Sequence, residues 1–544
     1  MSQFTDYFDK RYIDLKPDIT LLDTLLKDDK KFLLIAGDFF GIQKFIFDQL
    51  STKNASKVLR AKSAYIQIFT KVLTYYICDR LNIGKEYILT SNAGKFEILS
   101  SVTDLNIIQE IQEELDRFFL KNFYGLSGLG ITTKECSAED FKDPKLYRAL
   151  RESLSDKIEL TKFNKFDLTR QAQEMEYAQD IDNKTLCKVC NMRKIENENC
   201  FLCNNFIFIG EKLTKSDKFT ISKDSGDIEI FENYYITFST HKGEVIETFD
   251  ISKKGESSDN HWAISSYVKR NTQSVADFTE LANSSCGDAE KGIKAIGVLK
   301  GDVDSLGKYL RESDVTQSFE NFELFSKSLN NFFSVYVPKV LMEGKYANTY
   351  TVFAGGDDIF LIGAWDEIIK LALVIEEEFK IFVKNKLSIS MGIIVTKPST
   401  PVKYLADISE EKLDEAKGFN NGEKDAISLF NETVRWADYA QQRKTVLNVF
   451  EKYADFVDNT SFLYRLLELI KMRQEMDKSP ENSMWRSKLN YSFRRNIFDR
   501  IKNNTEETKR AELFFKAIYE MIENHPNEAK MILSEFIYTR REVA

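Results

Sequence analysis

A chain of 544 residues with 43% hydrophobic and 30% charged side chains has the composition of a folded, multidomain protein and excludes a disordered or fibrous one. Its formal net charge of −9 argues against a protein that grips nucleic acid over its whole surface. It contains no apolar run of the about 18 residues a membrane helix needs, and no basic start followed by an apolar stretch, so neither a span nor a signal peptide is predicted and the cytoplasm is the expected compartment.

Phe32–Ala36 reads as a strand ending in Gly37-Asp38. A helical stretch follows from about Gly41 through Cys78, broken near Ser51–Ala55. Tyr87–Thr90 and Phe96–Leu99 then flank Asn92-Ala93-Gly94-Lys95 as two strands around a turn. A helix from about Asn106 to Phe119 and a strand near Gly130–Thr133 complete a β-α-β-β-α-β order. Lys53, Lys57, Arg60 and Lys62 form a basic cluster, which reads for most members as a solvated face and alternatively as an RNA contact.

The next segment carries Cys187-x-x-Cys190 and, nine residues later, Cys200-x-x-Cys203. Four thiolates at this spacing predict a closed, tetrahedral and structural zinc site. Paired CxxC also fits a reducing compartment better than a disulfide scaffold does. Cys78, Cys136 and Cys286 read as ordinary buried residues. The segments Phe206–Ile209, Phe219–Ile221, Ile228–Phe231, Tyr234–Phe238 and Val245–Phe249 are expected as strands.

The β-α-β-β-α-β order then returns. Ile296–Lys300 reads as a strand ending in Gly301-Asp302, Leu306–Leu310 opens a helix, and a second amphipathic stretch runs from Phe319 to Leu341. Tyr350–Phe353 and Ile359–Ile362 flank Gly355-Gly356-Asp357-Asp358, a hairpin with carboxylates at its tip. Glu367–Val383 is helical by periodicity and Leu387–Val395 returns as a strand. Asp38 and Lys95 are 57 positions apart and Asp302 and Asp357 are 55, so the two units read as an internal duplication in which Ala-Gly-Lys-Phe replaces Gly-Gly-Asp-Asp. After Asn431 the pattern is helical, with a break at Ser479–Ser483 and a second basic cluster, Arg486, Lys488, Arg494, Arg495, Arg500 and Lys502.

If the first strand of the second unit lies beside its hairpin, Asp302 meets Asp357 and Asp358. Carboxylates from two strands suit hard divalent ions, Mg²⁺ or Mn²⁺, which clamp the attacking and leaving oxygens of a phosphoryl displacement. Gly355 and Gly356 would let a triphosphate approach the backbone. Ser305 either touches a nucleotide or caps the following helix. Asp304 is expected as a helix cap rather than a ligand. Lys417, near the end of a helix after the last strand, either neutralises triphosphate charge or balances Glu410, Glu411 and Asp414 on a helix surface. Only three histidines occur, His241, His261 and His525, and none is followed by Asp.

Together these motifs resemble the large subunit of type III CRISPR effector complexes, nearest the Csm (III-A) branch. They are Gly37-Asp-Phe-Phe-Gly-Ile-Gln-Lys-Phe-Ile-Phe47, Lys57-Val-Leu-Arg-Ala-Lys-Ser63, the paired CxxC, Gly301-Asp-Val-Asp-Ser-Leu-Gly307 and Phe353-Ala-Gly-Gly-Asp-Asp-Ile-Phe360, in family order over roughly Phe32 to Phe430. The resemblance implies an α+β chain with a degenerate ferredoxin-like palm (1–145), a zinc-binding linker with a strand-rich part (146–285), an active palm (286–430) and an all-α end (431–544). It implies target-RNA-activated synthesis of cyclic oligoadenylates from ATP, with Asp302, Asp357 and Asp358 holding Mg²⁺ and Gly94 helping to form a second ATP pocket between the palms. The implied partners are guide crRNA, target RNA and other Csm-type subunits, one Cas5-like and others small and helical. Relatives often begin with a His-Asp nuclease domain; no such pair occurs here, so no DNase activity is expected of this chain. A diguanylate-cyclase-like enzyme and a scaffold whose palm makes another adenylated product are the alternatives.

Overall fold

Strand β1 (Lys31–Phe40) is buried over nine of its ten residues, because both of its faces are covered. Leu33, Ile35 and Phe39 pack toward one core; Phe32, Leu34 and Ala36, at alternate positions, join another. A continuous apolar run is what such a doubly covered strand requires. The computed structural model describes residues 31–47, 54–100, 105–166, 186–195, 197–238, 243–251, 262, 268–270, 275–286, 291–501 and 505–541. Lys53, Lys502, His241 and His261 lie outside them.

In the first unit β1 is followed by helices α1 (Ile42–Phe47) and α2 (Ala55–Arg80), strands β2 (Ile88–Asn92) and β3 (Lys95–Ser100), helix α3 (Leu105–Phe123) and strand β4 (Gly128–Ser137). The sheet order is β2-β3-β1-β4. Helix α4 (Pro144–Phe163) follows; Asp143 caps it by accepting from the Lys145 and Leu146 amides.

Helix α5 (Phe201–Lys215) starts at Cys200 and is followed by strands β5 (Lys218–Lys223), β6 (Ile228–Phe231), β7 (Tyr234–Thr237) and β8 (Glu244–Asp250) in the order β6-β7-β5-β8. The strand expected at Phe206–Ile209 lies inside α5. Its short apolar run had no period of its own to tell strand from helix, and α5 buries Phe206 and Ile209 while packing against α2. Gly210 sits so close to α2 that a Cβ there would lie 2.1 Å from the Lys57 carbonyl oxygen.

The second unit repeats the first: β9 (Ile296–Val303), α6 (Leu306–Glu312), α7 (Phe319–Asn331), β10 (Thr349–Gly355), β11 (Asp358–Ala364), α8 (Trp365–Phe382) and β12 (Ile389–Thr396). A π-helical turn, Phe332–Tyr336, precedes Pro338, which has no N–H for the Ser334 carbonyl. The sheet order β10-β11-β9-β12 matches that of the first unit position for position, then extends through β13 (Ala426–Leu429) and β14 (Glu432–Arg435). The helical region therefore begins after β14, not at Asn431. Helix α9 (Val402–Lys417) lies across β12 and β9. Helices α10 (Trp436–Lys452), α11 (Thr460–Gln474), α12 (Trp485–Asn496), α13 (Thr505–Asn524) and α14 (Pro526–Arg540) complete the chain. The expected break at Ser479–Ser483 is a short 3₁₀ turn at Pro480–Met484.

The units embrace each other. Phe47 of α1 lies 4.6 Å from the Phe360 ring of β11, while Phe319 of α7 packs into the core beneath β1 and α4. Arg60 of α2 is buried; its Nε donates to Tyr350 Oη at 3.2 Å and its Nη1 to the Gly210 carbonyl at 2.9 Å. That side chain joins three parts of the chain, which removes it from the solvated basic face the sequence suggested.

Candidate active site

The register of the second sheet places Asp302 of β9 directly opposite Asp358 of β11. Side chains opposite each other in an antiparallel pair share a face about 5 Å apart, and like charges there repel. Asp357 occupies the two-residue turn with Gly356, whose φ of +66° suits a residue lacking Cβ. The Asp357 carbonyl accepts from the Val303 amide at 3.1 Å, tying the turn to the end of β9. One carboxylate oxygen from each of Asp302, Asp357 and Asp358 lies within 4.8 Å of the others, a set that fits hard divalent ions.

Burial and the neighbouring Asp302 push Asp358 up to about 8, and burial with Asp302 also raises Asp357. A carboxyl raised from 3.8 to about 8 holds in the folded state a proton that the unfolded chain releases. The fold therefore loses stability as pH climbs through that window. Binding an ion requires the same proton to leave. Titration calorimetry should show Mn²⁺ affinity tightening across that rise and protons released on binding; a flat profile would reject the ligand set.

Two lysines border the carboxylates. Lys417 ends α9, and its ammonium pairs with Asp302 rather than with Glu411 or Asp414. Helix α9 comes close enough because residue 392 is glycine; a Cβ there would lie 2.4 Å from the Leu413 nitrogen. Lys300, two residues before Asp302 on the same face of β9, is 1% exposed and pairs with Glu410. Burial lowers its pKa to about 8, against the opposing pull of Asp358 and Asp302. The sequence reading missed Lys300, although its i, i+2 spacing to Asp302 on a strand was the available signal.

Asn330 was also missed. At the end of α7 its Oδ1 accepts from the Gly356 amide at 3.0 Å and would lie 3.2 Å from a Cβ at Gly355. Ser305 is exposed at φ +54°, with no side-chain cap on α6. Gly94 is buried in the corresponding turn of the first unit, where its amide donates to Thr70 Oγ1 at 3.1 Å.

Asp304 is not the cap the sequence suggested. Its buried Oδ2 accepts from Ser388 Oγ at 2.7 Å, Ser390 Oγ at 3.0 Å and the Asp425 amide at 3.0 Å. The carboxylate thus ties β9 to β12 and to the entry of β13. Asp304→Ala strands three donors and should destabilise the fold by about 3 kcal/mol, read as a lower urea midpoint; an unchanged midpoint would refute this tie.

A second cluster lies in the linker. Cys187, Cys190, Cys200 and Cys203 are all buried with their sulfurs within 4.8 Å of one another. Hydrogen bonds from Cys200 and Cys203 hold the Cys190 thiol far below its usual range, and Cys190 in turn pushes Cys203 up. Four converging sulfurs at CxxC spacing fit a tetrahedral zinc ion.

Register also corrects the internal alignment. Asp38 stands opposite Lys95 on β3 as Asp302 stands opposite Asp358, so Lys95 corresponds to Asp358 rather than to Asp357. Asp38 is 5% exposed and pairs at 3.0 Å with Lys162 in the last turn of α4, repeating the Asp302–Lys417 pair on α9.

Residues 295–428 match the family model for the second palm domain of Cas10/Cmr2, and residues 31–180 match that for domain B of the Csm1 subunit. The chain is 28% identical over 434 residues to the CRISPR system single-strand-specific deoxyribonuclease Cas10/Csm1 (subtype III-A) of Thermococcus onnurineus, covering 72% of this chain and 54% of that relative. It thus spans little more than half of that relative's length. In fold it is similar to a chain of a Csm1–Csm4 cassette in complex with cA3, with a TM-score of 0.65, 21% identity and coverage of 93% and 72%. A cassette in complex with pppApApA gives 0.67, 20%, and 94% and 70%. Among the described residues, no helix is long and apolar enough to cross a membrane.

Proposed function

The chain belongs to the Cas10/Csm1 family of subtype III-A CRISPR systems, and from that premise we propose that its second unit joins ATP molecules into cyclic oligoadenylates within a type III effector complex, in response to target RNA. The observation that carries this reading is the convergence of Asp302, Asp357 and Asp358 from a strand and a hairpin tip. In this reading the four units are 1–145, 146–285, 286–430 and 431–544, the first a degenerate palm and the third the active one.

Each addition forms a bond from a ribose 3′-oxygen to the α-phosphorus of an ATP and breaks the bond from that phosphorus to the bridging oxygen of pyrophosphate; the hydroxyl proton leaves to solvent. Divalent ions on the three carboxylates would lower the pKa of the attacking hydroxyl and stabilise charge on the departing pyrophosphate. The protein's own contribution is placement. Asn330 holds the turn whose glycines let phosphate approach, and Lys417 can exchange Asp302 for triphosphate oxygens. Lys300, fixed by Glu410, keeps positive charge behind Asp302 and Asp358.

The solved neighbours with cA3 and pppApApA support adenylate products. Guide crRNA, target RNA and a Csm4-type subunit are the proposed partners, and a single structural Zn²⁺ the proposed occupant of the cysteine cluster. The test is mass spectrometry of products from the assembled complex given ATP, Mg²⁺ and target RNA. Cyclic oligoadenylates are expected; products made equally well from GTP, or no adenylate product at all, would overturn the proposal.

A further inference from the structure

The second basic cluster of the sequence falls on a helix face that the catalytic chemistry does not use. Between Trp485 and Ile501 stand Arg486, Lys488, Arg494, Arg495 and Arg500 against a single acid, Asp499, in a chain of net charge −9. Helix α12 buries Trp485, Leu489, Ser492 and Phe493. It lies antiparallel to α11: the Phe493 and Phe462 rings are 5.3 Å apart, and the Lys488 ammonium reaches Met472 Sδ at 3.7 Å. Apolar packing thus fixes the helix and leaves Tyr491, Arg494 and Arg495 exposed. At i, i+3 and i+4 these three are surface neighbours, about 5–6 Å apart at Cβ. Arg500 is exposed in the 3₁₀ turn that follows.

Charge pairing separates this face from an ordinary solvated one. Arg443, Arg465, Arg473, Arg486 and Arg510 of the helical region each lie against a carboxylate. Arg494, Arg495 and Arg500 have no carboxylate partner among the described residues. Unneutralised guanidiniums around the Tyr491 ring, which is 64% exposed, match a polyanion that also carries flat aromatic groups. An acidic peptide would use the charge and leave the ring without a partner, and a duplex keeps its bases stacked inside. We propose that this face of α12 binds single-stranded RNA, with Arg494, Arg495 and Arg500 on phosphates and a base stacked on Tyr491. The choice of RNA over DNA rests on the guide and target RNA proposed above; none of these residues belongs to the carboxylate site.

Fluorescence anisotropy of a labelled single-stranded RNA of mixed sequence with the full chain, over a range of salt, tests the proposal. Arg494→Gln with Arg495→Gln should weaken binding at least about tenfold and flatten the slope of log affinity against log salt by about 1.4, two phosphate contacts at about 0.7 each. Tyr491→Ser should weaken binding about tenfold with the slope unchanged, since stacking releases no counterion. All three side chains are exposed, so the variants should keep the parent's urea midpoint. In the assembled complex, ultraviolet crosslinking should attach RNA to the peptide carrying Tyr491. Parental affinity and slope in the double arginine variant would overturn the proposal. So would equally tight binding of duplex RNA or polyglutamate, or a crosslink to DNA instead of RNA. Asp357→Asn with Asp358→Asn should bind this RNA as the parent does. Failure of the α12 tests therefore leaves the catalytic reading standing, and RNA binding at α12 without adenylate products would overturn that reading alone.

Discussion

Asp357→Asn combined with Asp358→Asn should reduce oligoadenylate synthesis at least about 1,000-fold, since removing the ligands of catalytic ions forfeits several kcal/mol of transition-state stabilisation. The fold should survive. Burial and the neighbouring Asp302 raise both carboxyl groups, which marks their charged forms as unfavourable there, so replacing them with neutral amides removes that cost. The apo variant is expected to unfold at a urea concentration equal to or higher than that of the parent, and to keep its place in the effector complex. Synthesis persisting in this variant would reject the assignment of all three aspartates. A loss of activity accompanied by a lowered unfolding midpoint would point to a structural role for the pair.

The second large effect concerns the cysteine cluster. Structural zinc in small domains contributes about 10–16 kcal/mol of folding free energy near neutral pH. Cys200→Ser, or prolonged chelation, should therefore unfold the knuckle around Cys187 and Cys190 and loosen α5. The damage should travel. Arg193 of the knuckle stacks 4.8 Å from the Tyr124 ring and donates to the Asn122 carbonyl at the end of α3. Helix α5 also places the Gly210 carbonyl on Arg60, whose other nitrogen reaches Tyr350 on the hairpin strand β10. Elemental analysis should find one zinc per chain, and its removal should lower the thermal midpoint of the first unit together with that of the linker. A chain that holds no zinc as purified from zinc-replete cells, or one that loses it with no change in stability, would sink this assignment.

The carboxylate hairpin and the paired cysteines were legible from sequence because both are written in local chain geometry. A Gly-Gly-Asp-Asp tetrad between apolar runs can only put its acids at a tip, and CxxC places two sulfurs within one turn. The repeated β-α-β-β-α-β order was equally legible, since each element carried its own period, and the two sheets have the same strand order. Phe206–Ile209 misled because four apolar residues carry no period, and burial against α2 decided for helix.

What only the tertiary structure decided is which charge meets which. Lys417 lies 115 positions from Asp302, and its choice of that partner over its helix neighbours follows from Gly392 letting α9 lie close on β12. Asp304 was read as a cap because caps are local; its acceptor oxygen instead serves Ser388, Ser390 and Asp425, brought in by the sheet. Lys300 and Asn330 gained their places the same way. The sequence by itself determined the kinds of chemistry available and the elements that carry them, for those depend on neighbours in the chain. Register and helix packing determined the pairings, because a side chain's electrostatic partner is set by separation in space, which cross-strand pairing and close backbone approach create and sequence distance does not record.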